Sequence, residues 1–318
     1  MHAVLEMMLG AQGRVCVACH RNPDGDTLGA GLALYLWLRN QSRDAAIYCV
    51  DPAPPLYAFL PGVADITADA APCALLVMVD IASPELLGPQ GQRLMAGARA
   101  IVNIDHHRTN SRYGDAHHVV DTASSTAELV TALLLDGGFD ITSDIADCLY
   151  TGIVTDTGRF GFDYTTPDAL RMAAVLMERG ARFESIQYRV FRQRSLARTG
   201  LLGTALGSLR MLCGGRLAVL CVSLADLACH GAIAADAESI VNYAVEIEGV
   251  ELGALLRETA DGAIKVSLRS AGAADASALA QRFGGGGHRK AAGCTVEGPM
   301  DAALLKIRDA AEGALGCL

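Results

Sequence analysis

The segment at residues 20–26, HRNPDGD, carries the side chains best suited to chemistry. It brings one imidazole and two carboxylates within seven residues: His20, Asp24 and Asp26. It follows an apolar run at residues 15–19 that predicts a β-strand, and a strand that ends in such a turn presents its ligands at the carboxyl edge of a sheet. Pro23 fixes φ and Gly25 relaxes it, so the two aspartates can face a common point. The segment therefore suggests a divalent metal site.

Three further stretches of the sequence carry the same kinds of side chain. Asp80 and the run Asp105-His106-His107 each follow an apolar, strand-like segment, and Asp156 follows a helix-like segment. Taken singly, an aspartate after a strand is usually a helix N-cap, and a lone buried histidine is usually a core residue. Carboxylates gathered at one sheet edge repel one another and destabilise the fold unless cations neutralise them. The joint pattern therefore favours metal binding.

The kinds of ligand indicate which metal would bind. Mixed carboxylate and imidazole ligands favour Mn²⁺ first, with Mg²⁺, Fe²⁺ or Co²⁺ as alternatives. No cysteine stands at these positions, so they do not indicate a structural zinc site. With this many ligands, two divalent cations about 3.5–4 Å apart, bridged by one aspartate, are the natural arrangement, and such a pair stabilises charge at an attacked phosphorus atom.

The elements that must position these side chains alternate along the first half of the chain. Apolar runs predict strands at residues 15–19, 45–50, 74–79 and 100–104. Apolar spacing predicts helices at residues 28–38, 126–135, 145–155 and 167–178. Continuous apolar strands separated by helices indicate a parallel sheet covered on both faces. The predicted fold class is therefore α/β, with a Rossmann-like parallel-sheet domain at residues 1–180.

The second half of the chain predicts a connector and a smaller mixed α/β domain. Residues 181–212 are helical and arginine-rich, and their arginines are expected on a solvated helix face rather than at a phosphate: Arg182, Arg189, Arg192, Arg194 and Arg198. The second domain, residues 213–318, has predicted strands at 217–224, 250–257 and 264–269. Helices at 276–283 and 302–315 and a glycine-rich loop complete it. We expect the substrate in a cleft between the two domains.

Composition narrows the classes of partner. The chain has 318 residues, of which 51% are hydrophobic, and no apolar stretch reaches the length of about 20 residues that a membrane span needs. The start lacks a secretion signal, and the ten cysteines, including the Cys16-x-x-Cys19 pair, are interpreted as reduced thiols of a cytoplasmic protein. A net charge of −9 argues against long duplex nucleic acid, which needs a basic surface, and favours a small anionic substrate.

The motifs resemble those of the DHH phosphoesterase superfamily, in the subgroup with a DHH-associated C-terminal domain. They occur in family order over nearly the whole chain: HRNPDGD at 20–26, Asp80, DHH at 105–107, GIVTDT at 152–157, and GGGGH at 284–288 with AAG at 291–293. The resemblance implies that His20, Asp24 and Asp80 hold one metal. It implies that Asp26, Asp80, His106 and Asp156 hold the other, with Asp80 as the bridge.

The resemblance also implies roles for residues that are not ligands. Asp105 would orient a histidine ligand without binding the metal itself. His107 would face the substrate phosphate or help to protonate the leaving oxygen. In the second domain, Arg269 and His288 would bind phosphate or nucleobase. Ser270 would assist by hydrogen bonding. Glycine backbone and one weaker candidate complete the predicted substrate-binding set: Gly285, Gly286, Gly287 and Asn242.

The resemblance leads to one principal function and several alternatives. The principal one is a metal-dependent phosphoesterase that degrades short single-stranded oligonucleotides to nucleoside 5′-monophosphates and removes the 3′-phosphate of 3′-phosphoadenosine 5′-phosphate (pAp). This resembles the nanoRNase group. The alternative is a stand-alone phosphodiesterase of cyclic dinucleotides or their linear products. A family pyrophosphatase and a nucleotide-binding regulator without turnover fit less well. A homodimer is suggested only by the resemblance.

Overall fold

Two sheets organise the chain, and the computed structural model describes residues 3–69 and 71–316. The backbone divides into two units, Met1–Gln193 and Arg194–Leu318. The outer limits of the predicted domains, at residues 1 and 318, and Cys317 lie outside the described residues. Within the described ranges, no helix is long and apolar enough to cross a membrane.

The first unit is built on a six-stranded parallel sheet. Its strands are β1 (Val15–Ala18), β2 (Ala45–Tyr48), β3 (Ile66–Thr67), β4 (Leu75–Val79), β5 (Ala100–Asp105) and β6 (Ala116–Val119). Its helices are α1 (Ala3–Gly10), α2 (Gly25–Asn40), α3 (Gly88–Gly97), α4 (Thr126–Asp136), α5 (Ser143–Asp156), α6 (Pro167–Glu178) and α7 (Phe183–Gln187). The strand order is β3-β2-β1-β4-β5-β6, the order of dinucleotide-binding sheets. The prediction of a Rossmann-like parallel sheet is confirmed.

The apolar strand sequences follow from burial on both faces of this sheet. Val15, Val17 and Cys19 pack into a large core with helices α1, α2, α4 and α5. The alternate residues Cys16 and Ala18 pack into a smaller core on the other face, which α3 covers. Because both faces are buried, every position of β1 and β4 is apolar, and these two strands lack the simple alternation of a half-exposed strand. Cys16 and Cys19 are free thiols on opposite faces, as predicted.

The second unit contains a six-stranded mixed sheet. Its strands are β7 (Arg210–Leu212), β8 (Leu217–Val222), β9 (Leu252–Glu258), β10 (Ala263–Ser270), β11 (Gly286–His288) and β12 (Ala291–Glu297). Its helices are α8 (Leu196–Gly207), α9 (Leu224–His230), α10 (Ile240–Val245), α11 (Ala276–Gln281) and α12 (Met300–Leu315). The strand order is β11-β12-β10-β9-β8-β7, with β8 and β9 parallel and the other pairs antiparallel. Helices α11 and α12 cover one face, and α8, α9 and α10 cover the other.

Two predicted segments differ in the structure. The glycine-rich loop is in part the strand β11, which pairs with β12, so it is not a free loop throughout. Residues 181–212 contribute to both units, because α7 lies in the first while α8 and β7 lie in the second. Their arginines are largely exposed, although Arg182 pairs with the buried Asp147. The limits 1–180, 181–212 and 213–318 stay a prediction.

Candidate metal centre

The predicted ligands of the first unit meet at the carboxyl ends of three neighbouring strands. His20 follows β1, Asp80 follows β4, and His106 follows β5. The chain runs from β1 through α2 to β2 on one side, while β4 lies on the other side of β1. The order of strands therefore reverses between β1 and β4, which opens a crevice at this edge where α/β sheets bind ligands.

The first turn of α2 fixes Asp24. Asp24 is the N-cap of this helix, and its Oδ1 accepts hydrogen bonds of 3.0 Å from the amides of Asp26 and Thr27. His20 Nδ1 lies 2.8 Å from the Arg21 carbonyl oxygen, which suits a hydrogen bond donated by Nδ1–H. The other ring nitrogen, Nε2, can then face the candidate metal centre. That Nε2 lies 3.7 Å from Asp24 Oδ1. The cap that starts the helix thus also aims a carboxylate at His20.

Asp80 lies between two groups of candidate ligands. Its Oδ2 is 3.5 Å from His20 Nε2, and its Oδ1 is 3.6 Å from His106 Nε2. The side chain is buried, and Thr126 Oγ1 donates a 2.9 Å hydrogen bond to Oδ1. The backbone is left-handed, with φ of 60°, and the amide still donates to the Ile104 carbonyl of β5. Such a conformation is uncommon for a residue other than glycine and recurs at functional sites.

Asp26 is held at the amino terminus of α4. Its Oδ2 accepts a 2.6 Å hydrogen bond from the Thr126 amide, and its Oδ1 accepts a 2.9 Å bond from the Ala127 amide. The first amides of a helix lack intrahelical partners and favour a negative charge, so they stabilise this buried carboxylate. Its Oδ2 lies 3.9 Å from His106 Nε2. Helix α4 therefore orients a ligand that belongs to α2.

Asp156 reaches the centre because α2 and α5 pack very closely. A Cβ on Gly29 would lie 2.5 Å from the Cys148 carbonyl oxygen and 2.8 Å from the Gly152 nitrogen. Glycine at these contacts therefore lets the two backbones approach and brings Asp156, the last residue of α5, to the sheet edge. Its Oδ2 lies 3.3 Å from His106 Nε2. Within the described residues this buried Oδ2 has no hydrogen-bond partner.

Asp105 and His107 form a separate hydrogen-bonded pair beside the ligands. His107 Nδ1 lies 2.7 Å from Asp105 Oδ1, and Asn110 Nδ2 donates a 2.5 Å bond to Asp105 Oδ2. Asp105 is fully buried, whereas almost half of the His107 side chain is exposed. The predicted orienting carboxylate is present, but the histidine that it contacts is His107 and not the neighbouring His106. His106 Nδ1 instead lies 3.3 Å from the Ala123 carbonyl oxygen.

The electrostatics of the cluster favour added positive charge. Burial, then the charges of Asp80 and Asp24, raise the pKa of Asp156 to about 8. Burial, Asp80 and Asp156 raise the pKa of Asp26 well above its ordinary value. Burial lowers the pKa of His20, but its contacts with Asp24 and Asp80 outweigh burial and raise it to about 10. These carboxylates cannot all stay ionised without nearby cations, which would reverse the shifts.

The donor atoms fit divalent metal ions. Three sets of ligand atoms lie within 4.8 Å of one another: His20, Asp24 and Asp80; Asp26, His106 and Asp156; and Asp80, His106 and His107. Asp80 and His106 each belong to two sets, as expected of residues at adjoining ions. The six predicted ligands include four carboxylates, whose charge two divalent cations would balance. The buried Oδ2 of Asp156 has a 3.3 Å contact with His106 but no hydrogen bond within the described residues, which is a further sign that a bound ion completes the site.

In the second unit the structure brings Arg269 and His288 together. Arg269 on β10 and His288 on β11 both pair with Ala291 of the intervening strand β12. Directly opposed residues point to the same face of a sheet, so the two side chains share a face about 10 Å apart. Burial lowers the pKa of Arg269, although the guanidinium also donates a 2.9 Å bond to the Leu268 carbonyl. Helix α10, which carries Asn242, covers the face opposite α11 and α12.

Three of the other predicted substrate residues, Ser270, Gly285 and Gly287, make close contacts within this unit. Ser270 faces away from Arg269, is buried, and donates a 2.8 Å hydrogen bond to the Ala274 carbonyl, so the structure does not group it with Arg269. A Cβ on Gly285 would lie 2.2 Å from the Gly293 carbonyl oxygen, and one on Gly287 would lie 2.6 Å from the Ala291 carbonyl oxygen. These two glycines therefore permit close contact with β12. Gly286 has open space around it.

Sequence reasoning missed Thr126 and Asn110. The Ser125-x-x-Glu128 pattern marks a helix start, and Ser125 does cap α4 through a 3.0 Å bond from the Glu128 amide. The sequence thus signals the helix, but not that its first amides bind an aspartate 100 residues earlier. Nothing in the local pattern around Asn110 signals its bond to Asp105.

Comparison with known proteins identifies the family. The DHH family N-terminal domain matches residues 14–153, and the DHHA1 domain matches residues 214–315. The bifunctional oligoribonuclease and PAP phosphatase NrnA of Thermus thermophilus is 34% identical over 98% of this chain and 93% of that protein. This chain is a DHH-family phosphoesterase of the NrnA group. The family prediction made from the motifs is confirmed, and the family's use of divalent metals agrees with the ligand cluster.

Other NrnA-group and DHH relatives cover most of the chain as well. NrnA of Bacillus subtilis is 29% identical over 87% of this chain and 87% of that protein. The crystal structure of an exopolyphosphatase-related protein from Bacteroides fragilis is similar with a TM-score of 0.90 and 26% identity, over 98% of this chain and 95% of that one. The DHH phosphoesterase fold therefore extends through both units of this protein.

Proposed function

We propose that this DHH phosphoesterase degrades short single-stranded oligonucleotides to nucleoside 5′-monophosphates and also removes the 3′-phosphate of pAp. The observation that carries the proposal is the ligand cluster at the switch point between β1 and β4, in which every ligand predicted for the family is present. The relatives from Thermus thermophilus and Bacillus subtilis bear the name oligoribonuclease and PAP phosphatase, which supports the same substrates here.

We assign the metal ligands as follows. His20, Asp24 and Asp80 would hold one divalent cation, and the other would be held by Asp26, Asp80, His106 and Asp156. When bound, such a pair activates water and stabilises negative charge at phosphorus. Mn²⁺ is the ion we expect, because it accepts carboxylate and imidazole ligands together.

The residues around the ligands would position the substrate and move protons. Contact with Asp105, opposed by burial, raises the pKa of His107 to about 9 in the absence of metal, and almost half of this side chain is exposed. In the metal-loaded enzyme, Asp105 would still favour a proton on the imidazole. That proton suits a hydrogen bond to a substrate phosphate oxygen or transfer to the leaving oxygen. Arg269 and His288, on one face of the second sheet, would bind a phosphate or base of the same substrate.

A side-by-side assay tests the proposal. The purified enzyme with Mn²⁺ is offered pAp, pApA, a five-nucleotide RNA and a cyclic dinucleotide. We expect inorganic phosphate from pAp and nucleoside monophosphates from pApA and the RNA. Turnover of the cyclic dinucleotide alone would favour the alternative of a cyclic-dinucleotide phosphodiesterase. Metal binding without turnover of any of the four would contradict both.

Two further proposals concern the cellular compartment and the oligomeric state of the enzyme. We place it in the cytoplasm, since six cysteines are free thiols buried within the fold: Cys16, Cys19, Cys49, Cys73, Cys148 and Cys294. A homodimer stays a prediction, which light scattering on the purified protein tests.

A further inference from the structure

A cavity in the first unit lies outside the metal cluster and has no assigned role. Its volume is about 610 Å³, within the usual range of ligand pockets. Its wall includes two arginines, three aromatic side chains and one glutamate, which together define the arginine–aromatic pocket: Arg159, Phe183, Glu184, Tyr188, Phe191 and Arg192. All six belong to the first unit.

One wall of the pocket continues directly from the metal ligand Asp156. Gly158 ends α5 in a left-handed conformation, and the Arg159 amide donates to the Val154 carbonyl, the bond of a Schellman cap. Arg159 and Phe160 then stay left-handed, with φ of 61° and 64°, although neither is glycine. Residues other than glycine rarely adopt this conformation, and such strain clusters at ligand sites. Three peptide units place the Arg159 Cα at most about 11 Å from that of Asp156.

The opposite wall comes from a π-helix at Tyr188–Arg192, which continues α7. Its i to i+5 pattern is seen in the 2.7 Å bond from the Gln193 amide to the Tyr188 carbonyl. Turns of this type are rare and often lie at functional sites. Phe191 packs beneath the Arg159 guanidinium at 5.2 Å, whereas Tyr188 is 56% exposed. The π-helix thus turns an aromatic face and Arg192 toward the pocket.

The charges of the pocket suit an anion. Some arginines of this unit pair with aspartates, as Arg171 does with Asp168 and Arg179 with Asp140. Within the described residues, neither Arg159 nor Arg192 forms an ion pair with a carboxylate. The charged residues named in its lining are these two arginines and Glu184, so the pocket has a net positive charge although the whole chain has a net charge of −9. Guanidiniums bind phosphate and aromatic rings stack on bases, so the two together fit a nucleotide.

We propose that the arginine–aromatic pocket binds a nucleotide that adjoins the cleaved linkage, with Arg159 and Arg192 on its phosphate and Tyr188 stacked on its base. This subsite rests on the proposed function. It would bind the nucleotide part of an oligonucleotide, which a simple phosphodiester lacks, and so favour oligonucleotides as substrates. Because Arg159 follows Asp156 closely along the chain, a substrate of only two or three nucleotides could contact both the metal centre and the pocket.

Kinetics of paired variants test the subsite. The parent, Arg192→Gln and the control Arg189→Gln are assayed with Mn²⁺ on pApApA and on bis(4-nitrophenyl) phosphate, which has no nucleotide. Arg189 lies on the same π-helix but stacks on Phe59 outside the pocket. We expect Arg192→Gln to lower the ratio of kcat/KM for pApApA to that for bis(4-nitrophenyl) phosphate about tenfold, through KM. The control should keep the ratio of the parent.

Tyr188 provides a second, independent readout. Tyr188→Ala should raise KM for pApApA about tenfold, because a stacked base is lost, and Tyr188→Phe should restore it. An unchanged ratio in Arg192→Gln, or an equal loss on both substrates, would overturn the subsite while the parent still cleaves pApApA. A parent that cleaves bis(4-nitrophenyl) phosphate but not pApApA would instead overturn the proposed function.

Discussion

Asp80 combines a buried carboxylate, a left-handed backbone and contacts of 3.5–3.6 Å with imidazoles of both predicted metal groups. A carboxylate in this position can serve two ions at once, which an amide of the same shape cannot. Asparagine also tolerates φ near 60°, so the backbone should accept the replacement. The role of this residue can therefore be separated from its contribution to folding.

We expect Asp80→Asn to lower Mn²⁺-dependent release of mononucleotides from pApA at least a thousandfold. The thermal midpoint in the presence of a chelator should not fall, because one of several repelling charges is removed. Asp168→Asn, at an exposed pair with Arg171, is the matched control and should keep the activity of the parent. Substantial turnover in Asp80→Asn would reject the bridging role.

Asn110 shows a role that the sequence did not reveal. Its amide bonds Asp105, which in turn contacts His107, so its removal should loosen the histidine without touching a metal ligand. We expect Asn110→Ala to lower kcat about 10- to 100-fold with little change in KM, as for other outer partners of metal sites. Ser111→Ala, at an exposed position of the same loop, should have no effect. An unchanged kcat in Asn110→Ala would show that Asn110 does not help to position His107 for catalysis.

At the scale of elements, the motifs predicted the strand ends correctly because His20, Asp80 and His106 follow strands whose apolar residues are buried. What the sequence could not show are contacts between distant elements. The amides of α4 that bind Asp26 and the orientation of Ser270 away from Arg269 depend on packing and strand register. The glycines at 285 and 287 suggested an anion loop, yet their nearest neighbours belong to β12.

The close packing of α2 on α5 is the element-scale feature that sets the position of Asp156. A methyl group on Gly29 would press on the backbone of α5, so Gly29→Ala should destabilise the protein by about 1–3 kcal/mol and weaken Mn²⁺ binding. Gly203→Ala in α8 is the control, since its Cβ would have nothing within 4 Å. It should stabilise the protein by about 0.5–1 kcal/mol. Denaturant unfolding and calorimetric metal titration measure both, and equal behaviour of the two variants would refute the packing argument.

At the scale of the whole molecule, the predicted metal ligands lie within one unit, whereas Arg269 and His288, predicted to bind substrate, lie in the other. The motifs fall on either side of residues 181–212, so the sequence already placed the two predicted sets of residues in different halves of the chain. The cleft expected from the sequence stays a prediction. Metal binding should therefore raise the stability of the first unit more than that of the second.

Calorimetric unfolding with and without Mn²⁺ checks this expectation. Mn²⁺ at about 1,000 times its dissociation constant should stabilise the first unit by about 4 kcal/mol, because the ions bind only the folded cluster. The unfolding of the second unit should shift less. An equal shift of both units, or none, would speak against a metal centre confined to residues 20–156.

Anomalous diffraction from crystals soaked in Mn²⁺ tests the central claim most directly. We expect two manganese peaks about 3.5–4 Å apart, one beside His20 and Asp24, the other beside Asp26, His106 and Asp156, with Asp80 between them. Crystals without manganese among these side chains, or with manganese bound only elsewhere, would contradict it.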